Sequence, residues 1–182
     1  VQALYVMKYG NLNSQAALGK GFIGGSASSA RTTGATNARG MCYGNPNGGD
    51  DRMKLFGLED LWGNVYQFIS GLYSNSNRNL LTTTDNFSVD TSASAWEYNV
   101  SSDVTSNIEG FMKESQGTNN GGFVLKVANG TYYSDYALLY ASSFPFVGGH
   151  WNGGDFAGVF YCNVINSASI SYAYLGSRLM YL

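Results

Sequence analysis

His150 is the only histidine in the chain, and Asp155 follows it closely. A histidine oriented by a carboxylate is the usual activator of a nucleophilic Ser or Cys. No nucleophile motif such as G-x-S-x-G accompanies this pair, so His150 reads as a contact residue. Glu59-Asp60 is the other candidate for acid-base work. Adjacent side chains leave the backbone in different directions, so the two are poorly placed to flank one substrate. Gly19-Lys20-Gly21-Phe22-Ile23-Gly24 spells G-x-G-x-x-G. It follows a helix signal where a dinucleotide fingerprint needs a strand, and reads as a chance match in a glycine-rich loop.

The segment 148–178 has a different character. Small residues alternate there with large or polar ones of no common type: His150, Asn152, Asp155, Phe156, Tyr161, Asn163, Ile165, Ile170, Tyr172 and Tyr174. They share no reaction chemistry. Gathered on one face they would form an aromatic and polar contact surface, which is a binding site and not a catalytic one. Ile170, Tyr172 and Tyr174 are spaced two apart, so a strand would present all three on one face as an exposed platform, with Ser171 and Ala173 packed inside.

The elements that must hold these residues are short. Residues 1–9, with the strand-like run Leu4-Tyr5-Val6, read as a short strand or the end of a helix. Asn13 is a natural N-cap for a short helix that Gly19 closes. Residues 20–53 are rich in Gly, Ser and Asn and are expected to be surface loops. Gly57-Leu58-Glu59-Asp60-Leu61 reads as a tight or helical turn, and Val65 to Ile69 as a strand. Residues 74–122 are rich in Ser, Thr and Asn, with weak strand signals at Phe87, Trp96-Glu97-Tyr98 and Phe111, and are expected to be a surface insertion. Phe123-Val124-Leu125 and Tyr132 to Tyr140 return to the core, and Phe144 to Leu182 supplies short strands joined by turns. Trp62 and Trp151 are expected in the core. Arg178 is expected to tie a buried carboxylate or backbone carbonyls.

Composition narrows the functions. The chain has 182 residues, enough for one domain that folds without staples. Only 12% of residues are charged, while 15% are aromatic and 24 are Gly, which suits an ordered, loop-rich fold. Ten basic residues and a net charge of -2 argue against nucleic acid. Richness in Tyr, Ser, Gly and Asn is the composition of antibody contact loops. Cys42 and Cys162 stand far apart, show no metal-ligand spacing, and read as two reduced thiols. No apolar run is long enough to insert in a membrane. With no Met ahead of Val1, the chain is expected to be the C-terminal part of a longer protein.

The string Gly57-Leu58-Glu59-Asp60-Leu61-Trp62-Gly63-Asn64-Val65-Tyr66-Gln67-Phe68 resembles the G-L-x-D-M-x-G-N-V-W-E-W signature of the formylglycine-generating-enzyme branch of the C-type lectin fold. Gly148-Gly149-His150-Trp151 and Gly176-Ser177-Arg178 resemble the G-G-S-W and G-F-R ending of that branch, in the same order. Within the branch, Trp151-x-x-Gly154-x-x-Ala157-Gly158-x-Phe160, Asn166-Ser167-Ala168-Ser169 and Gly176-x-Arg178 resemble the fixed frame of the variable proteins of diversity-generating retroelements, the major-tropism-determinant type.

The resemblance implies an α+β, C-type lectin-like fold, loop-rich, with short antiparallel strands and one or two short helices, spanning 1–182 as one domain. It implies that 148–178 is a variable region altered by adenine-directed mutagenesis. It implies a phage tail protein, or a protein of the bacterial cell surface, that binds a protein or glycan receptor of a bacterial host, with a homotrimer as an allowed assembly. No cofactor is implied, and Asp60 of the Glu59-Asp60 pair is implied to hold its loop, a structural role. The formylglycine-generating enzymes use a cysteine pair five residues apart after the Gly-Gly-Ser. The comparable places here lie near Gly153 and Gly158, and neither is Cys, which counts against that chemistry. The Glu-Pro-Asn calcium and sugar motif is also absent, Asn45-Pro46-Asn47 lacking the carboxylate. Two rivals stand beside the receptor-binding reading: an altered enzyme of this branch, and a structural tail module with no receptor of its own.

Overall fold

The computed structural model describes residues 2–10, 13–24, 30–47, 52–83, 98–99, 106–117, 123–128 and 135–176. Phe87, Trp96, Glu97, Tyr132, Ser177, Arg178 and Leu179, for which the sequence carries expectations, lie outside them. The described architecture is α+β and loop-rich, mostly sheet with few short helices.

The chain starts in a helix, not a strand: α1 spans Gln2–Tyr9. Tyr5 and Tyr9, one turn apart, lie 5.1 Å ring to ring, and Tyr5 is fully buried edge-on against Trp62 and Phe160. Tertiary packing of Tyr5 thus decides the conformation of a run that reads equally as strand. The next helix, α2, spans Ser14–Ala17. Asn13 caps it as expected, its side chain accepting from the Ala16 N–H at 3.1 Å.

Strands β1 (Lys54–Leu55) and β2 (Leu58–Glu59) form a two-residue hairpin. Its turn residues Phe56 and Gly57 have φ of 50° and 83°. This is the I′ pattern that matches strand twist. The turn expected over 57–61 therefore sits slightly earlier, and Leu58–Glu59 is strand. Beyond it, Asp60 and Asn64 are left-handed, at φ 52° and 56°, where Asp and Asn are the tolerated residues. Asp60 is 1% exposed and pairs with Arg52, whose other guanidinium nitrogen donates to the Thr32 carbonyl. Burial raises the Asp60 carboxyl above its ordinary value, and the Arg52 charge pulls it part of the way back. Asn64 Nδ2 donates to Asp60 and to the Arg31 carbonyl, while its Oδ1 accepts from the Arg31 N–H. Glu59 accepts from Gly34 and twice from Thr36. The Glu59-Asp60 pair thus holds the 31–36 loop, the structural role expected.

The main sheet has seven strands in the order β12-β3-β10-β11-β9-β7-β8. They are β3 (Tyr66–Phe68), β7 (Ile108–Gly117), β8 (Phe123–Ala128), β9 (Tyr136–Leu139), β10 (Phe144–Val147), β11 (Cys162–Asn166) and β12 (Leu175–Gly176). Pairing is mixed: β11 runs parallel to β9 and β12 parallel to β3. A small antiparallel sheet of β4 (Leu72–Ser74), β5 (Leu80–Thr82) and β6 (Tyr98–Asn99) packs beside it. The reading of 74–122 as a surface insertion therefore needs correction. Ile108–Gly117 pairs with both β8 and β9 inside the main sheet, and Leu80 packs with Leu139 and Val164 in the core. The run 108–117 shows no clean apolar–polar alternation, so the sequence offers only a weak strand signal there.

Trp62, fully buried, anchors a core cluster of Tyr5, Leu18, Met53, Leu55 and Val159. Its Nε1–H donates to the Gly19 carbonyl at 3.1 Å. Trp151 is 7% exposed, so both tryptophans lie in the core as expected. Cys42 and Cys162 are free and partly covered, as expected of two thiols, and burial pushes the Cys162 thiol up to about 12. Replacing Trp62 by Ala is expected to cost about 3–5 kcal/mol, as for other large core aromatics. Urea unfolding checks this, and a cost below about 1 kcal/mol would place Trp62 outside the core.

Candidate functional site

Register across the main sheet fixes which side chains share a face, because directly opposed residues point the same way. Phe68 opposes Phe146, Phe146 opposes Asn163, Asn163 opposes Leu138, and Leu138 opposes Glu109. Alternation adds Tyr66, Tyr161, Ile165, Tyr136 and Phe111 to that face. The other face carries Gln67, Val147, Cys162, Ala137 and Gly110, in the next row of the same register.

The segment after β10 turns back over this face. Gly148 and Gly149 have φ of 86° and 79°. A Cβ on Gly148 would stand 2.5 Å from the Leu61 carbonyl oxygen, and one on Gly149 would stand 2.6 Å from the Ala157 Cβ. Only glycine allows both the left-handed turn and the close crossing. The Trp151 N–H then donates to the Asn64 carbonyl at 3.0 Å. From the far side α2 secures the following turn: Gln15 Nε2 donates to the Ala157 and Gly154 carbonyls at 2.7 and 3.0 Å. Ser14 Oγ accepts from the Val159 N–H. Asp135 is fully buried, accepts from the Phe160 N–H at 3.0 Å, and so sets the start of β11. Burial holds its carboxyl well above the ordinary range.

On this frame the rings form a continuous array. Tyr172 stacks on Tyr174 at 4.7 Å and 24°, and Tyr174 stacks on His150 at 4.7 Å and 20°. His150 meets Tyr66 edge-on at 4.7 Å, and Tyr66 stacks on Tyr161 at 5.6 Å. The Tyr66 N–H donates to the Tyr174 carbonyl, which ties the last of these residues to β3. Tyr161 Oη lies 3.0 Å from Tyr66 Oη and accepts from Asn163 Nδ2 at 3.0 Å. Burial raises both phenols, so they stay protonated and neutral at physiological pH.

Of the residues singled out in the sequence, His150, Tyr161, Asn163, Tyr172 and Tyr174 come together in this array. Two of them are not surface contacts. Tyr161 is 3% and Asn163 5% exposed. Asn163 Nδ2 donates to the Tyr161 hydroxyl, which lies against that of Tyr66, and this makes them the base of the array and not its outer layer. Ile170, Tyr172 and Tyr174 do not form the expected strand, because residues 167–174 are turn and irregular chain, and β12 begins at Leu175. Tyr172 and Tyr174 nevertheless lie together, and Tyr172 is 47% exposed. Ile170 is half-buried, and Ile165 is 38% exposed on β11. Asn152 and Asp155 are exposed in the turn after Trp151.

Phe156 belongs to a second patch. Its ring lies 4.5 Å from Tyr136 and 5.5 Å from Phe111. Sequence reasoning missed Tyr66, Phe111, Tyr136 and Glu109. The period-two spacings Glu109-x-Phe111 and Tyr136-x-Leu138-x-Tyr140 were the available signal, but only strand pairing tells which face they occupy.

The arrangement offers contact chemistry. His150 Nδ1 accepts from the Asn152 N–H at 3.2 Å, and its other described neighbours are rings. Among the described residues no group of three or more His, Cys, Asp or Glu could hold a metal ion, and no helix is long and apolar enough to cross a membrane. In comparisons with known proteins, the chain matches no family model and no curated protein.

Burial lowers the His150 pKa from 6.5. The folded protein therefore binds this proton less readily than the unfolded chain does. The stability from the neutral ring is complete above about pH 6.5 and is lost as pH falls through the lower folded-state value. Protonation also places a proton on Nδ1, where the Asn152 N–H now donates. His150→Phe is expected to flatten the fall in Tm between pH 7 and 5 relative to the parent. Identical slopes would mean that His150 titrates as it does in the unfolded chain.

Proposed function

We propose that this protein is a receptor-binding protein whose sheet face and covering 148–176 segment form a diversified contact surface on a rigid C-type lectin-like scaffold. In this reading it is a variable protein of the diversity-generating-retroelement type. It is displayed on a phage tail, or alternatively on a bacterial cell surface, and engages a protein or glycan receptor of a bacterial host. Its mechanism is contact and shape, with no covalent step.

The observation that carries the reading is the stacked column Tyr172–Tyr174–His150, half open to solvent at Tyr172 and seated on half-buried Tyr66 and buried Tyr161. A ring stacked on a packed neighbour, as Tyr172 is on Tyr174, loses little further freedom on binding, so its contact area converts well into affinity. The surroundings of His150 also support a binding role over an enzymatic one. Its ring nitrogen meets a backbone N–H, and its flat faces meet other rings, which leaves it poorly placed to activate a nucleophile. Trimeric display, an assembly the resemblance allows, would raise a weak single-site affinity by roughly 10² to 10⁴.

Tyr172→Ala is expected to leave Tm unchanged and to weaken single-site binding to host cells by about tenfold or more, the scale of an interface anchor. Labelled protein and cell-binding isotherms check this beside a thermal melt. Unchanged binding would overturn the contact-surface reading. Loss of assembly with binding retained would favour a structural tail module instead.

A further inference from the structure

The patch around Phe156 carries a charge that the Tyr172 column lacks. Glu109 is exposed on β7, and both its oxygens are engaged: Tyr136 Oη donates to one at 3.3 Å and Tyr140 Oη to the other at 3.0 Å. Each carboxylate oxygen accepts more than one hydrogen bond, so two phenol donors leave outward lone pairs free. The ion pairs among the described residues are those of Arg52, and no cation pairs with Glu109 there.

Tyr136 joins this carboxylate to the rings. Its hydroxyl sits on Glu109 while its ring lies 4.5 Å from Phe156 at 45° and 5.1 Å from Phe111 at 89°. Phe156 is 47% exposed, and the neighbouring Asp155 is exposed too. An aromatic corner with an open ring face and an oriented carboxylate thus occupies one exposed place on the proposed contact surface.

We propose that this corner receives an arginine side chain of a protein partner, whose guanidinium stacks on the Phe156–Tyr136 rings and pairs with Glu109. This rests on the receptor-binding reading and selects a protein receptor over a glycan. A guanidinium is planar, weakly hydrated and able to stack and pair at once, whereas an ammonium is a compact hydrated charge. A neutral sugar would stack on the rings and donate hydroxyls to the carboxylate but leave its charge uncompensated. A phosphate-bearing partner would be repelled by Glu109 and Asp155.

The test uses a blocked Gly-Gly-Arg-Gly-Gly peptide and its citrulline isostere, titrated into the protein while aromatic side-chain NMR signals are followed. The arginine peptide is expected to shift Phe156 and Tyr136 saturably, and the citrulline peptide to do so at least about fivefold more weakly. Glu109→Gln and Phe156→Ala, each checked for an unchanged amide spectrum, should weaken the arginine peptide by a similar factor. Equal binding of the two peptides, no shift at Phe156 with either, or full binding by Glu109→Gln overturns the proposal. Tyr172→Ala should leave the peptide shifts intact, so failure of the receptor-binding reading at Tyr172 is read separately from failure at this corner.

Discussion

The ring array depends on one backbone crossing, where Gly63 lies against Gly148. The Gly63 N–H donates to the Gly148 carbonyl at 3.0 Å, and on either side Asn64 takes the Phe22 carbonyl and gives its own to Trp151. Three segments distant in sequence meet there: the front loops, the approach to β3 and the turn that carries His150. The crossing leaves no room for a Cβ at Gly148. Asp60 and Asn64 hold left-handed backbone on each side of Trp62, and the Arg52–Asp60 ion pair with the Asn64 amide fixes the 31–36 loop behind them. Buried ion pairs and amides of this kind add more to a unique geometry than to net stability. Here that geometry sets where the rings stand.

From the crossing outward the layers follow a gradient of burial. Trp62 and Tyr5 are sealed, Tyr161 and Asn163 are covered but neutral and hydrogen-bonded, Tyr66, Tyr174 and His150 are half-covered, and Tyr172 and Phe156 are open. Exposed positions on such a frame can change identity at little cost to folding, because surface substitutions away from caps and buried partners usually move stability by about half a kcal/mol or less. Positions beneath them cannot. The division between tolerant and intolerant positions is therefore a property of the packing, and it falls within a single stretch of about thirty residues.

Some of this was legible in the sequence because local chemistry decides it. The Asn13 cap, the β3 strand and the two core tryptophans follow from residue type and immediate neighbours, and the structural role of Asp60 is what the resemblance implies. The helix α1 did not, because Leu4-Tyr5-Val6 suits a strand equally well and only the burial of Tyr5 against Trp62 settles it. Strand β7 was obscured because its apolar and polar residues do not alternate cleanly. The ten residues named from the sequence fall in several layers of the structure. Tyr161 and Asn163 look like any other polar or aromatic position of that stretch until tertiary packing against Tyr66 covers them. Glu109 and Tyr136 escaped because they lie in strands whose place beside β11 is a matter of tertiary order.

The most direct test is the DNA sequence around the gene. The account predicts a second, near-identical copy of the stretch encoding Gly148 to Arg178, beside a reverse transcriptase gene and differing from the first only at adenines. The changed codons should fall at open positions such as Asn152, Asp155, Phe156, Ile165 and Tyr172, and spare Gly148, Gly149, Trp151 and Ala157. The absence of such a copy, or one whose differences fall on those glycines and the tryptophan, would contradict a diversified binding surface.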